Sequence, residues 1–336
     1  MTTITELSLL IDICMPNDLT KKIDGVMFFI EETAFVFKLI LFMWNINELN
    51  AIENMLEDFN SYNLKFSDLE NIKENLKEIT YLRKTYRTSC FVCSAFYAVP
   101  PLLRKDVKYA LPYSTYLPYD ITNNFTYVPT FIYQVGSVLV SAHLNTMIDM
   151  INIKLVTLGS CLLQVLMNKL KDIGINLDED DSVKYRECLI LHNKILRFVE
   201  KIEKLYCYIT FAQLSASATV ICFSAFGLAI VPVGSGEFDL FLIYLINMIT
   251  QVALYCWAGH NMRALSEDLS TACYMSKWYK TDTKTKKMMI LFMERTKRPL
   301  TLTAAKMFPM TLTTLTSILR SSYSYFAVLQ RVYSDH

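Results

Sequence analysis

The sequence predicts an all-α fold: a polytopic membrane helical bundle whose helices run on beyond the bilayer into a cytoplasmic anchor bundle. Three observations carry that prediction. Long windows contain no charge at all, hydrophobic residues make up 53% of the chain against 19% charged, and only eight Gly and nine Pro punctuate 336 residues. A soluble domain carries about 25% charged residues, and a many-stranded β protein needs more turn residues than these. The 33 Lys and Arg balance 32 Asp and Glu to a net +1, which excludes a basic nucleic-acid binder. Nine Cys, an odd number, give no disulfide framework, and most of them lie in apolar stretches, where a thiol packs as a small hydrophobe.

A bilayer core about 30 Å thick takes roughly 20 apolar helical residues, so the spans follow in order from the charge-free windows. Residues 1–15 are the remnant of a first span: Ile4 to Met15 is apolar but short and holds Glu6 and Asp12. With no basic n-region or cleavage site, it is not expected to be a signal peptide. The second span, 25–47, is interrupted by Glu31, Glu32 and Lys38. Charges inside a membrane face protein or water, and Glu31 and Lys38, seven apart, share a helix face. The third span, 82–103, rests on the 16 charge-free residues from Thr88 to Leu103, which end at Pro100 and Pro101. Tilt, or a start within Tyr81 to Arg87, supplies the missing length.

The next three spans are plainer. Span four, 127–167, overlaps the 28 charge-free residues from Ile121 to Ile148; span five, 189–231, contains most of the 32 from Leu205 to Gly236; span six, 238–262, contains the 23 from Leu240 to Met262. At 1.5 Å per residue, Leu189 to Val231 makes a helix of about 65 Å, longer than any bilayer needs. Span seven, 286–332, falls in two parts. Its ten Ser and Thr between Thr301 and Ser324, beside Lys306 and Arg320, suit a wall of water or close packing against other helices better than lipid.

Orientation follows from the basic residues. With the N-terminal stub ending at the outer face, the inner segments 45–87, 168–204 and 261–298 carry 6, 8 and 9 Lys or Arg, whereas the outer segments 14–24, 103–126, 232–238 and 333–336 carry 2, 3, 0 and 0. Cytoplasmic loops hold the excess, so the C-terminus is expected outside. The sequon Asn124-Phe125-Thr126 falls on an outer loop, which makes Asn124 a glycosylation candidate. The inner segments are helical by their stripes: Leu69, Ile72, Leu76 and Ile79, then Ile195, Val199, Ile202 and Tyr206. Such faces need a partner, either one another or a second protein.

Chemistry-bearing motifs are scarce. His143, His192, His260 and His336 lack metal-ligand spacing, and there is no Walker loop, GxGxxG, GxSxG or HExxH. His143, Asn145 and Asp149 on the fourth span read as a hydrogen-bonded packing cluster or a proton relay; Ser217 and Ser224 read as small packing positions. No enzyme, no cofactor and no metal is expected.

A family resemblance rests on the last third. Tyr255-Cys256 with Gly259, Tyr274 with Trp278, Arg295 with Pro299, and Thr303-Ala304 through Phe308 to Tyr323-Ser324-Tyr325-Phe326 resemble the signature of insect odorant receptors; Lys38 and Leu117-Pro118-Tyr119-Asp120 extend it upstream. Members have seven spans and a cytoplasmic N-terminus, so the short start reads as a truncated gene model or a short form. The resemblance implies an odorant receptor subunit in the plasma membrane of olfactory sensory neurons, taking a small volatile odorant. It further implies a nonselective cation channel formed as a heterotetramer with the family's co-receptor, in contact with membrane lipid and with no nucleic acid. It places a two-part last span at roughly 286 to 305 and 309 to 332, and a hydrophobic gate at Val328, beside Tyr325. Arg331, where the co-receptor has Gln, then stands at the pore mouth, either impeding cations or pairing with Asp335.

A volatile ligand binds mainly by apolar burial, with one or two orienting polar groups. The outer halves of the spans offer Phe29 and Thr33, Ala95, Phe96 and Tyr97, Tyr133 and Ser137, and Ser217, Ile221 and Phe223 as candidate ligand residues. Two other readings remain open here: a G-protein-coupled receptor, whose C-terminus would be cytoplasmic, and a non-conducting or pseudoreceptor subunit.

Overall fold

The computed structural model describes residues 2–14, 19–60, 66–103, 109–113, 115–174 and 181–334. Helices dominate: α1 (Thr2–Cys14), α2 (Leu19–Trp44), α3 (Ile46–Asn60), α4 (Phe66–Leu103), α5 (Asn124–Lys171), α6 (Asp181–Ile230), α7 (Gly236–Tyr274), α8 (Thr283–Thr296) and α9 (Leu312–Ser334). Three of the described helices, α5, α6 and α7, are long and apolar enough to cross a membrane by length and composition. At 48 and 50 residues, α5 and α6 are about 72 and 75 Å long. They run from a half of the bundle rich in polar side chains into a second, hydrocarbon-filled half.

That second half answers the amphipathic stripes. Ile195, Val199, Ile202 and Tyr206 are all buried, as is Ile79 of α4. They join Ile52 and Phe59 of α3, Leu163, Leu166 and Leu170 of α5, and Met289 and Phe292 of α8 in one cluster. The rings interlock edge to face, Phe59 on Phe198 at 5.9 Å and Tyr185 on Phe292 at 6.1 Å, and the Tyr185 hydroxyl donates to the Met288 carbonyl at 3.0 Å. The α6 stripe therefore finds its partners within the chain, while of the α4 stripe only Ile79 does.

The last span departs from expectation in one respect. A continuous helix to about residue 305 is expected, but α8 ends at Thr296, just short of Pro299, which cannot carry a helix onward. A short antiparallel hairpin follows instead, β1 (Thr303–Ala304) with β2 (Phe308–Pro309), in register Thr303 to Pro309 and Ala304 to Phe308. Its two turn residues, Ala305 and Lys306, both have positive φ, 51° and 58°. Paired with the Met307 to Ala304 backbone bond of 3.0 Å, these angles make a type I′ turn, whose twist matches paired strands. The hairpin is moored to α6: the Ala305 amide donates to the Cys207 carbonyl at 3.0 Å and the Thr303 hydroxyl to Glu203 at 2.5 Å. Gly259 of α7 makes room for it, since a Cβ there would lie 2.5 Å from the Met310 carbonyl oxygen.

Candidate functional site

Four helices contribute one stripe each to a cavity of about 720 Å³, part of it open to the outside. From α2 come Phe28, Glu31, Glu32 and Phe35; from α4, Tyr86, Cys90, Cys93 and Ser94; from α5, Val138, Ser141, Ala142, Asn145 and Thr146; from α7, Tyr244, Asn247, Met248 and Gln251. Each set repeats at three, four and seven residues, which is one helix face. The wall is mostly carbon with a few convergent polar groups, and Cys90 and Cys93, a C-x-x-C pair on one face of α4, are free thiols.

Asn145 and Gln251 belong at the same time to a buried polar knot. Lys38 is fully buried and donates to Asn145 Oδ1 at 2.5 Å, Asp149 Oδ1 at 2.5 Å and Gln213 Oε1 at 2.7 Å. Gln251 donates to Asp149 Oδ2 at 2.5 Å and Tyr255 to Asp149 Oδ1 at 2.7 Å. Gln213 donates onward to Gln251 Oε1 at 2.9 Å and Ser217 Oγ at 3.0 Å. One cation and one carboxylate thus hold α2, α5, α6 and α7 together, with amides filling the remaining valences. Buried charge is tolerable only when matched and hydrogen-bonded in this way. Of the trio on the fourth span, Asn145 and Asp149 join the knot; His143 stands apart, its ring 6.0 Å from Phe91.

A loop closes the other side. Tyr113 stacks on the cavity residue Phe28 at 4.7 Å and pairs its hydroxyl with Ser137 at 3.3 Å. Gln134 donates to Thr115 Oγ1 at 2.9 Å, and Tyr119 pairs with Thr130 at 2.8 Å. The first turns of α5 thereby hold residues 109–113 and 115–123 against the bundle.

The residues expected from sequence fall around this cavity rather than in its wall. Ser137 is buried beneath Tyr113, and Ser217 is a member of the knot. Ile221 is buried in the core, Phe29 and Phe223 are half-buried, Thr33 is exposed, and Tyr133 is 36% exposed. Ala95 is exposed, and the side chains of Phe96 and Tyr97 lie outside the described residues. The candidates lie on α2, α4, α5 and α6, whereas α7 and not α6 completes the cavity wall. Glu31 was marked as a charge turned away from lipid, and Phe28, Glu32 and Phe35 share its stripe. Nothing local in α4 or α7 could have shown which stripe meets it.

α9 is two-faced. Leu315, Ile318, Leu319, Phe326 and Leu329 pack on the core, and buried Ser322 donates to the Ala218 carbonyl at 2.9 Å. On the opposite face Thr313, Ser317, Ser321, Ser324, Val328 and Arg331 are all exposed in the single chain, with Tyr325 beside them at 67% and Val328 at 60%. Asn124, the sequon residue, is exposed at the start of α5, while Asp335 lies outside the described residues. Among the described residues, no cluster of His, Cys, Asp or Glu could hold a metal ion.

Comparison with known proteins gives one answer. The model of the 7tm odorant receptor family matches residues 18–323. Odorant receptor 10 of Aedes albopictus is 28% identical over 173 residues, 51% of this chain and 46% of that protein. Odorant receptor 85b of Drosophila melanogaster is 27% identical over 226 residues, 67% of this chain and 58% of that one. The matched region thus spans about half the length of these curated relatives. The olfactory receptor OR5 of Machilis hrabei, solved in complex with eugenol, superposes with a TM-score of 0.82 at 18% identity over 98% of this chain and 87% of its own. That likeness establishes the fold.

Proposed function

The chain belongs to the 7tm odorant receptor family, and from that premise we propose that it is a ligand-binding receptor subunit that gates a nonselective cation channel together with the family's co-receptor. It takes a small volatile, largely apolar molecule in the cavity between α2, α4, α5 and α7. The observation that carries this reading is the cavity itself, walled by aromatic and aliphatic carbon around a few polar groups. Burying apolar ligand area there yields roughly 25 cal/mol per Å². The Machilis receptor was solved in complex with eugenol, a small and largely apolar aromatic. Phe29, Thr33, Tyr133, Ser137, Ser217, Ile221 and Phe223 then act from behind the wall, by setting helix positions.

α9 supplies the conduction path. Its hydroxyl stripe from Thr313 to Ser324 would face water in the assembled channel, and Val328, beside Tyr325, would close it by dewetting. Arg331 would set a positive charge at the mouth, and with the excess of Lys and Arg on the opposite side of the bundle the C-terminus would emerge outside the cell. The protein would then work in the plasma membrane of olfactory sensory neurons, with Asn124 open to glycosylation. A ligand gates such a channel only by binding the open form more tightly than the closed one. The knot is the natural coupler, because Asn145 and Gln251 touch both the cavity and the helix α6, through Lys38 and Gln213, on which α9 packs.

The test is current recording from cells expressing the chain with the co-receptor while a broad odorant panel is applied. Inward cation current to at least one odorant is expected, absent with the co-receptor alone. An assembled surface complex silent to the whole panel would replace this reading with that of a non-conducting subunit.

A further inference from the structure

The cavity gathers acidic groups with no basic side chain among the described residues of its wall. Among its described lining residues there is no Lys, Arg or His, yet Glu31 and Glu32 both stand in its wall. Lys38 reaches Glu31 by charge alone and gives it no hydrogen bond. An ammonium has three donors, and all three are committed to Asn145, Asp149 and Gln213, with Asp149 balancing its charge at 2.5 Å. Lys38 thus spends its hydrogen bonds inside the knot, and the two glutamates stand outside it.

Glu32 receives one hydrogen bond, from the Ser141 hydroxyl at 3.0 Å. Glu31 is worse placed: its Oε1 is shielded from solvent and has no hydrogen-bond partner. A second under-satisfied group lines the same space. Asn247 is only 3% exposed, accepts from Ser89 at 2.6 Å through Oδ1, and its Nδ2 has no acceptor stronger than the Cys93 sulfur. Each is left short of a partner that a bound molecule could supply.

A bound molecule can do so only if it brings a strong donor to Glu31, and a cation does this best, since a buried carboxylate is stabilised by an opposite charge. The rings of Phe28, Phe35 and Tyr86 line the same cavity and add cation–π attraction. We propose that the ligand is a small protonated amine on an aromatic or short aliphatic skeleton, its nitrogen at Glu31 and a second polar atom within reach of Asn247. This rests on the reading that the cavity is the odorant site, and it names the chemical class that site selects.

The experiment compares benzylamine, benzyl alcohol and benzyltrimethylammonium on the receptor with its co-receptor. It uses both dose–response currents and the thermal unfolding midpoint of the purified complex. Benzylamine is expected to act at a concentration about tenfold or more below benzyl alcohol, about 1.4 kcal/mol, and to raise the midpoint further. Glu31→Gln should collapse that ratio towards one. If this variant does not assemble, the unmodified complex decides: raising the pH above the amine's own pKa should erase the benzylamine advantage, while benzyltrimethylammonium, if it fits, keeps its effect. A benzylamine to benzyl alcohol ratio of one or below, or one that survives in Glu31→Gln, overturns the proposal. Currents to neutral odorants without amine preference would overturn it and leave the receptor reading intact. Amine binding without current would do the reverse.

Discussion

Lys38 brings a charge into the middle of four helices, and its value to the fold is conditional. Removing it strands Asp149, which is fully buried and accepts from Gln251 and Tyr255 but would lose its counter-charge. Lys38→Met is therefore expected to destabilise the protein by about 3–5 kcal/mol, whereas the paired change Lys38→Met with Asp149→Leu recovers much of the loss. Thermal midpoints of the purified variants measure both; independent, additive effects would contradict the pairing.

At the scale of elements, the hairpin between α8 and α9 is the most exacting. Two non-glycine residues, Ala305 and Lys306, hold left-handed conformations, which cost L-residues free energy. Lys306→Gly is expected to raise stability by a few tenths to about 1 kcal/mol, read as a higher thermal midpoint. Gly259→Ala should act the other way, because its Cβ would meet backbone of Met310 that has no rotamer to escape by; a loss of about 1–3 kcal/mol is expected. The hydroxyl face of α9 carries a functional prediction. Val328→Ser should let water into a closed pore and produce ligand-independent current, and Arg331→Gln should raise cation conductance and Ca²⁺ permeability. Unchanged currents in both would remove α9 from the pore.

For the whole molecule, legibility in the sequence divided along physical lines. The stripe Ile195, Val199, Ile202, Tyr206 was readable because periodicity within one helix is local information, and it proved buried to the last member. The end of α8 was misjudged, because two-residue strands held by Cys207 and Glu203 of α6 leave no local pattern. The cavity escaped for a similar reason. Ser89 meets Asn247 across 158 positions and Ser141 meets Glu32 across 109, and one chain read alone does not say which faces converge. Charge-free windows located the long helices, and charge placement marked α2 as turned inward at Glu31 and Lys38.

The central claim is that the α2–α4–α5–α7 cavity is where an odorant acts. Ala142 is the smallest side chain in its wall, so Ala142→Phe fills the space with little added polarity. Odorant-evoked current should be measured in cells expressing this variant with the co-receptor, with surface protein quantified in parallel. The account predicts that normal surface levels persist while the response to every activating odorant falls by about tenfold or more, equivalent to at least 1.4 kcal/mol of lost binding. Dose–response curves that superpose on those of the unmodified chain would contradict it.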